Sequence, residues 1–132
     1  MQIAYLLSLV AFAYYAQVDG SFASHCEHVS IVNGKDHTDL QANCGGQCNV
    51  LNLDLCYASH HGGISAQDQG HFNSLCYPNT CSLDGTTLNC VCYYDDAEGR
   101  RRNSFTDLNE LISADGGILT CFGNKGTILQ AC

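Results

Sequence analysis

The groups in this chain with chemistry to offer are ten cysteines, six histidines and thirteen carboxylates, and their spacing decides which of them can act together. All ten cysteines lie beyond residue 20, and the closest pairs are Cys44 with Cys48, Cys76 with Cys81, and Cys90 with Cys92. The paired C-x-x-C spacing of thiolate metal sites is absent. Oxidation to five disulfides is therefore expected among Cys26, Cys44, Cys48, Cys56, Cys76, Cys81, Cys90, Cys92, Cys121 and Cys132. The histidines include an H-x-x-H (His25, His28) and an adjacent pair (His60, His61). Neither falls in a helical pattern that would converge imidazoles on a metal, so both read as surface residues. Hydrolysis by paired carboxylates needs two of them facing across a cleft. Asp95 and Asp115 are the only pair to nominate, and no G-x-S-x-G nucleophile motif is present. These observations point away from an enzyme, with no catalytic residue, metal or cofactor expected.

Charge narrows the partners. Thirteen acidic against five basic residues give a formal net charge of -8, which repels phosphate backbones and anionic lipid surfaces. The one basic cluster, Arg100 to Arg102, stands beside Asp95, Asp96 and Glu98 and reads as a locally neutralised, solvated loop. At the other extreme of polarity, Ile3 to Ala16 (IAYLLSLVAFAYYA) is uncharged and continuously apolar. A run of about fourteen such residues suits a signal-peptide core better than a membrane span. Residues 1–20 are thus expected to be a signal peptide, and the mature protein to be secreted and extracellular, without membrane insertion.

Beyond the leader the chain repeats itself. The segment LNLDLCYASHHGGISA (51–66) returns in revised form as TDLNELISADGGILTC (106–121). The landmarks Phe22, Cys26, Leu40, Cys44, Leu53, Gly62 and Ile64 recur in order as Phe72, Cys76, Leu88, Cys92, Leu108, Gly117 and Leu119. The second copy carries seven extra residues between its second cysteine and its Leu-rich segment, within about Tyr93 to Ser104, which read as a longer hairpin tip. Two copies are too few for a solenoid, and a unit of about fifty residues buries too little apolar surface alone. The expected organisation is one pseudo-twofold domain over 21–124, with repeats at about 21–71 and 72–124, followed by a tail (125–132) held by a disulfide. Because each half needs a complement, a monomer and a domain-swapped dimer are both physically open.

The elements that position these residues read as strands. In CSLDGTTLNC a hairpin turning at Asp84 to Thr87 sets Leu83 against Leu88 and Cys81 against Cys90 on one face, a natural cross-strand disulfide. Cys76 and Cys92 fall at the open end of that hairpin, and Cys26 with Cys44 occupy the matching places in the first copy. Proximity suggests Cys48 with Cys56 and Cys121 with Cys132 for the remainder. Leu51 to Tyr57 and Asp107 to Ile112 each suit about one helical turn, the second capped by Thr106 or Asp107.

Taken together, GSFASHCEHVSI, LQANCGG and LNLDLCYASHHGGI, followed by HFNSLCYPNTCSL, TTLNCVC and TDLNELISADGGIL, resemble the cyanovirin-N homology family. The resemblance covers about residues 20 to 124, and its cysteine-rich character is similar to members from fungi and ferns. It implies an all-β fold with short helical turns, pseudo-twofold symmetric and built from two tandem repeats. It also implies a non-enzymatic lectin with a pocket at each end, typically for mannose-rich oligosaccharides or glycoproteins. Projected by that resemblance, one pocket takes Ser21, Ser24 and His25, then Gly45 and Gln47, then Ala114, Asp115 and Gly116. The other takes His71, Ser74 and Leu75, then Tyr93, Tyr94 and Asp95, then Ser59 and His61. Asp95 and Asp115 belong to opposite ends in this projection. The chain departs from the family pattern at Ser59 and Ala114, where Asn is expected, and at Gly45 and Gly46, where polar side chains are expected. The second pocket keeps more hydroxyl-binding chemistry and is expected to be the stronger. The competing reading is a secreted disulfide-rich scaffold or effector that has lost sugar binding and contacts a protein.

Overall fold

The computed structural model describes residues 20–77, 79–94 and 98–132. The expected signal peptide lies outside them apart from Gly20, as do Asp95 and Asp96. The chain runs β1 (Cys26–Asn33), β2 (Thr38–Cys44), β3 (Gln47–Asn52), β4 (Tyr57–His60), β5 (Gly63–Ala66), β6 (Ser82–Asp84), β7 (Thr87–Tyr93), β8 (Arg101–Asp107), β9 (Ser113–Asp115), β10 (Ile118–Cys121), β11 (Asn124–Lys125) and β12 (Thr127–Ile128). Single 3-10 turns occupy Phe22–Ser24, Leu53–Leu55, Phe72–Ser74 and Leu108–Glu110. The fold is all-β with short helical turns, pseudo-twofold symmetric, as the two copies of the sequence require. Sheets form in the orders β1-β2-β3-β12, β4-β5, β6-β7-β8 and β9-β10-β11.

Period-two patterning writes the strands. In β2, Thr38, Leu40, Ala42 and Cys44 are buried while Asp39, Gln41 and Asn43 face outward. The repeat landmarks Phe22 and Phe72, Leu40 and Leu88, Leu53 and Leu108, and Ile64 and Leu119 all lie in one core. The hairpin at Asp84 to Thr87 forms with Leu83 paired to Leu88, as its spacing predicts.

Neither copy closes on itself. Asn52 caps the Leu53–Leu55 turn by accepting from the Asp54 N–H at 3.0 Å, and Asp107 does the same for Asn109 at 3.0 Å. Each capped turn then docks on the opening of the other copy. Asp54 accepts the His71 N–H on its carbonyl (2.9 Å) and the Asn73 N–H on its carboxylate (2.9 Å). Asn109 accepts the Ser21 N–H on its carbonyl (2.8 Å) and the Ala23 N–H on its side chain (3.0 Å). The approach is close enough to require glycine just before each opening turn. A Cβ at Gly20 would lie 2.7 Å from the Asn109 carbonyl oxygen, and one at Gly70 would collide with the backbone of Tyr57. A second exchanged bond lies deeper. Buried Asn49 of β3 accepts from the Leu119 N–H (2.8 Å) and donates to the Gly117 carbonyl (3.0 Å), and Ser104 of β8 accepts from the Ile64 N–H (2.7 Å).

The disulfides join Cys26–Cys44, Cys76–Cys92, Cys81–Cys90, Cys48–Cys132 and Cys56–Cys121. The first three follow the hairpin register. The other two correct the proximity pairing of Cys48 with Cys56 and Cys121 with Cys132. Cys48 points to the outer face of β3 and Cys56 sits in the core behind the 3-10 turn, so the two are on opposite sides of the backbone path. Cys56 meets Cys121 from the other copy, while β12 pairs with β3 and brings the tail back to Cys48. These two bridges span 65 and 84 residues, against 9 to 18 for the others. In the chain-entropy account they stabilise by about 4–5 kcal/mol each, against about 3 kcal/mol for the short ones. Arg101 and Arg102 also depart from expectation. They are strand residues of β8 rather than part of a solvated loop, because β8 pairs with β7 up to Tyr93 opposite Arg101.

Replacing Asn49 by Ala strands the Leu119 N–H in the core and takes the donor from the half-buried Gly117 carbonyl. A loss of about 2–4 kcal/mol in urea unfolding of the oxidised protein is expected. A change below about 0.5 kcal/mol would show that the exchanged bond does not hold the halves together.

Candidate functional site

Each end of the molecule is assembled from three turns, two from one copy and one from the other. At the first end the Cys26–Cys44 disulfide ties the Phe22–Ser24 turn to the β2–β3 hairpin. The β9–β10 turn closes against that hairpin, where a Cβ on Gly117 would lie 3.1 Å from the Cys44 carbonyl oxygen and 3.4 Å from Gln47 Oε1. Ser21, Ser24, His25, Gly45, Gln47, Ala114, Asp115 and Gly116 are therefore brought to one end, Ser24, His25, Gly45, Asp115 and Gly116 being exposed. The Ser24 hydroxyl donates to the Ser21 carbonyl (2.9 Å). Two-residue turns with positive φ at both central positions, Gly45–Gly46 and Gly116–Gly117, leave this end sparse in side chains.

The second end repeats the plan with more side chains. Tyr93 is the pivot: its N–H donates to the Leu75 carbonyl (2.7 Å), and its own carbonyl faces Gly62 of the β4–β5 turn. His61, His71 and Ser74 are exposed around it. Here the matching turn is His61–Gly62, and His61 holds a left-handed φ of 52°, as does His71; Ser21, the first-end counterpart of His71, has 51°. Non-glycine residues rarely adopt that conformation, and it recurs where a site must be pre-shaped. Ser59 lies on β4, which leads into that turn, but is only 5% exposed, with its hydroxyl buried. Asp95 lies outside the described residues.

Sequence reasoning missed Arg102 and Tyr77. The Arg102 stem lies across Gly62, where an added Cβ would come within 2.7 Å of it, and its guanidinium sits 5.9 Å from the centre of the Tyr94 ring. Arg100 approaches the same ring at 5.0 Å. On the other side of the strand Tyr77 packs on Tyr93 (4.3 Å between ring centres) and carries Arg101 at 4.6 Å. Arg102 pairs with Cys92 as Gln47 pairs with Cys44, so it is the counterpart of Gln47. Counting forward from the second cysteine hides this because of the inserted residues. Counting back from the capping residues finds it: Gln47 stands five before Asn52, and Arg102 five before Asp107.

Hydrogen bonding with Tyr77 holds the Tyr93 phenol above its ordinary pKa, with Arg101 opposing. Burial raises Asp54, which supports the second end, above its ordinary value of 3.8, opposed by the Asn73 N–H and by His71. Among the described residues no group of three His, Cys, Asp or Glu gathers as a metal site, and no helix is long and apolar enough to cross a membrane.

Comparison with solved structures finds a match in the NMR structure of Gibberella zeae CVNH, with a TM-score of 0.60 and 21% identity over 77% of this chain and 97% of that one. The chain therefore has the cyanovirin-N homology fold. No family model and no curated protein matches its sequence.

A raised carboxyl pKa in the fold means stability is fully present below the ordinary value and declines as pH rises through the raised one. Asp54→Asn retains the acceptor for Asn73, as Asn109 does in the other copy, and removes the buried charge. Its melting temperature is expected to gain on the wild type as pH rises from about 3 to about 6. A constant difference across that range would show that the carboxylate is not penalised.

Proposed function

We propose that the protein is a secreted lectin of the cyanovirin-N homology family, not an enzyme, binding mannose-type oligosaccharides through unequal sites at its two ends. The observation that carries this reading is the convergence of three turns at each end, on a fold shared with a CVNH protein. At the second end Tyr93, Tyr94, His61 and His71 supply donors, acceptors and ring surface around the Arg102 guanidinium, a mixture suited to vicinal hydroxyls. The first end, with glycine at both of its turns, offers fewer side-chain groups and is the weaker site. Five disulfides suit an extracellular protein.

A glycan array with the oxidised protein is expected to show binding that free mannose oligosaccharides inhibit. Tyr93→Ala combined with Asp95→Ala is expected to remove the stronger site, lowering affinity more than tenfold, about 1.4 kcal/mol or more. Silence across mannose, glucose and galactose ligands would instead favour a scaffold that contacts protein.

A further inference from the structure

The outer face of the β1-β2-β3 sheet holds a groove of about 520 Å³ that borders the first end at Gly46 and runs away from it along the sheet. Its size is within the range of small-ligand sites. The floor is polar and uncharged. Ser30 and Gln41 are cross-strand partners on β1 and β2, and Asn43 follows two residues on along the same face. One wall is the C-terminal tail, with Gln130 and the Cys48–Cys132 disulfide, and Cys48 stands directly opposite Asn43 in the register. The tail is fixed there three times, by that disulfide, by β12 on β3, and by the Leu129 N–H donating to the Cys48 carbonyl (2.9 Å). At its far limit the groove reaches Gly46, in the same turn as the Gly45 of the first end.

We propose that this groove is an extension subsite for a neutral oligosaccharide whose terminal residues occupy the first end. The inference rests on the lectin reading and adds to it a length preference. Among the described residues, the side chains of Ser30, Gln41, Asn43 and Gln130 have no hydrogen-bond partner, so their donors and acceptors are available to a ligand. Amides and hydroxyls that both donate and accept match sugar hydroxyls, which do the same. Among the lining residues His28 is the only one with an ionisable side chain, so no cluster of cationic or acidic side chains is there to hold a phosphate or a metal ion. The disulfide and Ala131 supply the apolar surface that the C–H face of a sugar ring needs. A wall clamped by a covalent bond limits the ordering cost of binding.

The test is calorimetric titration of the oxidised protein with a mannose disaccharide and with an oligomannose of about nine residues, repeated on Gln41→Ala/Asn43→Ala. Both substituted residues point outward without protein partners, so an unchanged melting temperature is expected to confirm intact folding. The variant is expected to bind the disaccharide as the wild type does and the long ligand about tenfold more weakly. The Gln41 and Asn43 side-chain amide NMR signals are expected to shift with the long ligand only. Equal affinities of wild type and variant for the long ligand, or shifts confined to the two ends, would overturn the subsite while leaving the lectin reading intact. Failure of the wild type to bind either sugar would overturn both.

Discussion

Everything in this structure depends on a reciprocal exchange of backbone hydrogen bonds. Asp54 and Asn109, one in each copy, offer a carbonyl and a side-chain oxygen to two N–H groups at the opening of the other copy. Those N–H groups belong to short 3-10 turns with too few internal bonds to stand alone. Unpaired, they would be a direct cost to folding. Asn49 and Ser104 repeat the exchange in the interior, where an unsatisfied group costs more.

The same exchange builds the two ends. A Gly turn from one copy is delivered to the cysteine hairpin of the other, so each end is made at the seam of the repeat. The symmetry is of backbone, not of chemistry. Gln47 at one end is answered by Arg102 at the other, and the bare Gly45–Gly46 turn by a hairpin bearing tyrosines and arginines. The two copies share a backbone plan at each end, and the inserted residues and different side chains of the second make the ends unequal.

The long-range disulfides stand outside this symmetry. Cys81–Cys90 and the two repeat-related bridges lie within single hairpins, where strand register already brings the sulfurs together. Cys56–Cys121 crosses between copies, and Cys48–Cys132 lays the tail along the outer face of a sheet. The first reinforces what hydrogen bonds already join. The second creates a wall, and with it a concavity that the repeat alone does not contain.

The sequence by itself determined the two-copy plan, the strand hairpin at Asp84 to Thr87, the single helical turns near Leu53 and Leu108 with a cap for the second, and three of the five disulfides. Each of these depends on residues near one another in the chain, where period-two spacing and capping chemistry act directly. The resemblance carried by ordered motifs also named residues that the fold brings near each end, Ser24 and His25 at one and His71 and Tyr93 at the other. Only the tertiary structure decided that Cys48 meets Cys132, that Arg102 rather than a loop residue crosses Gly62, and that Ser59 is buried. Those outcomes depend on which face of a strand meets which distant segment. Local spacing cannot encode that choice, because an inserted stretch or a returning tail changes the neighbour without changing the residue.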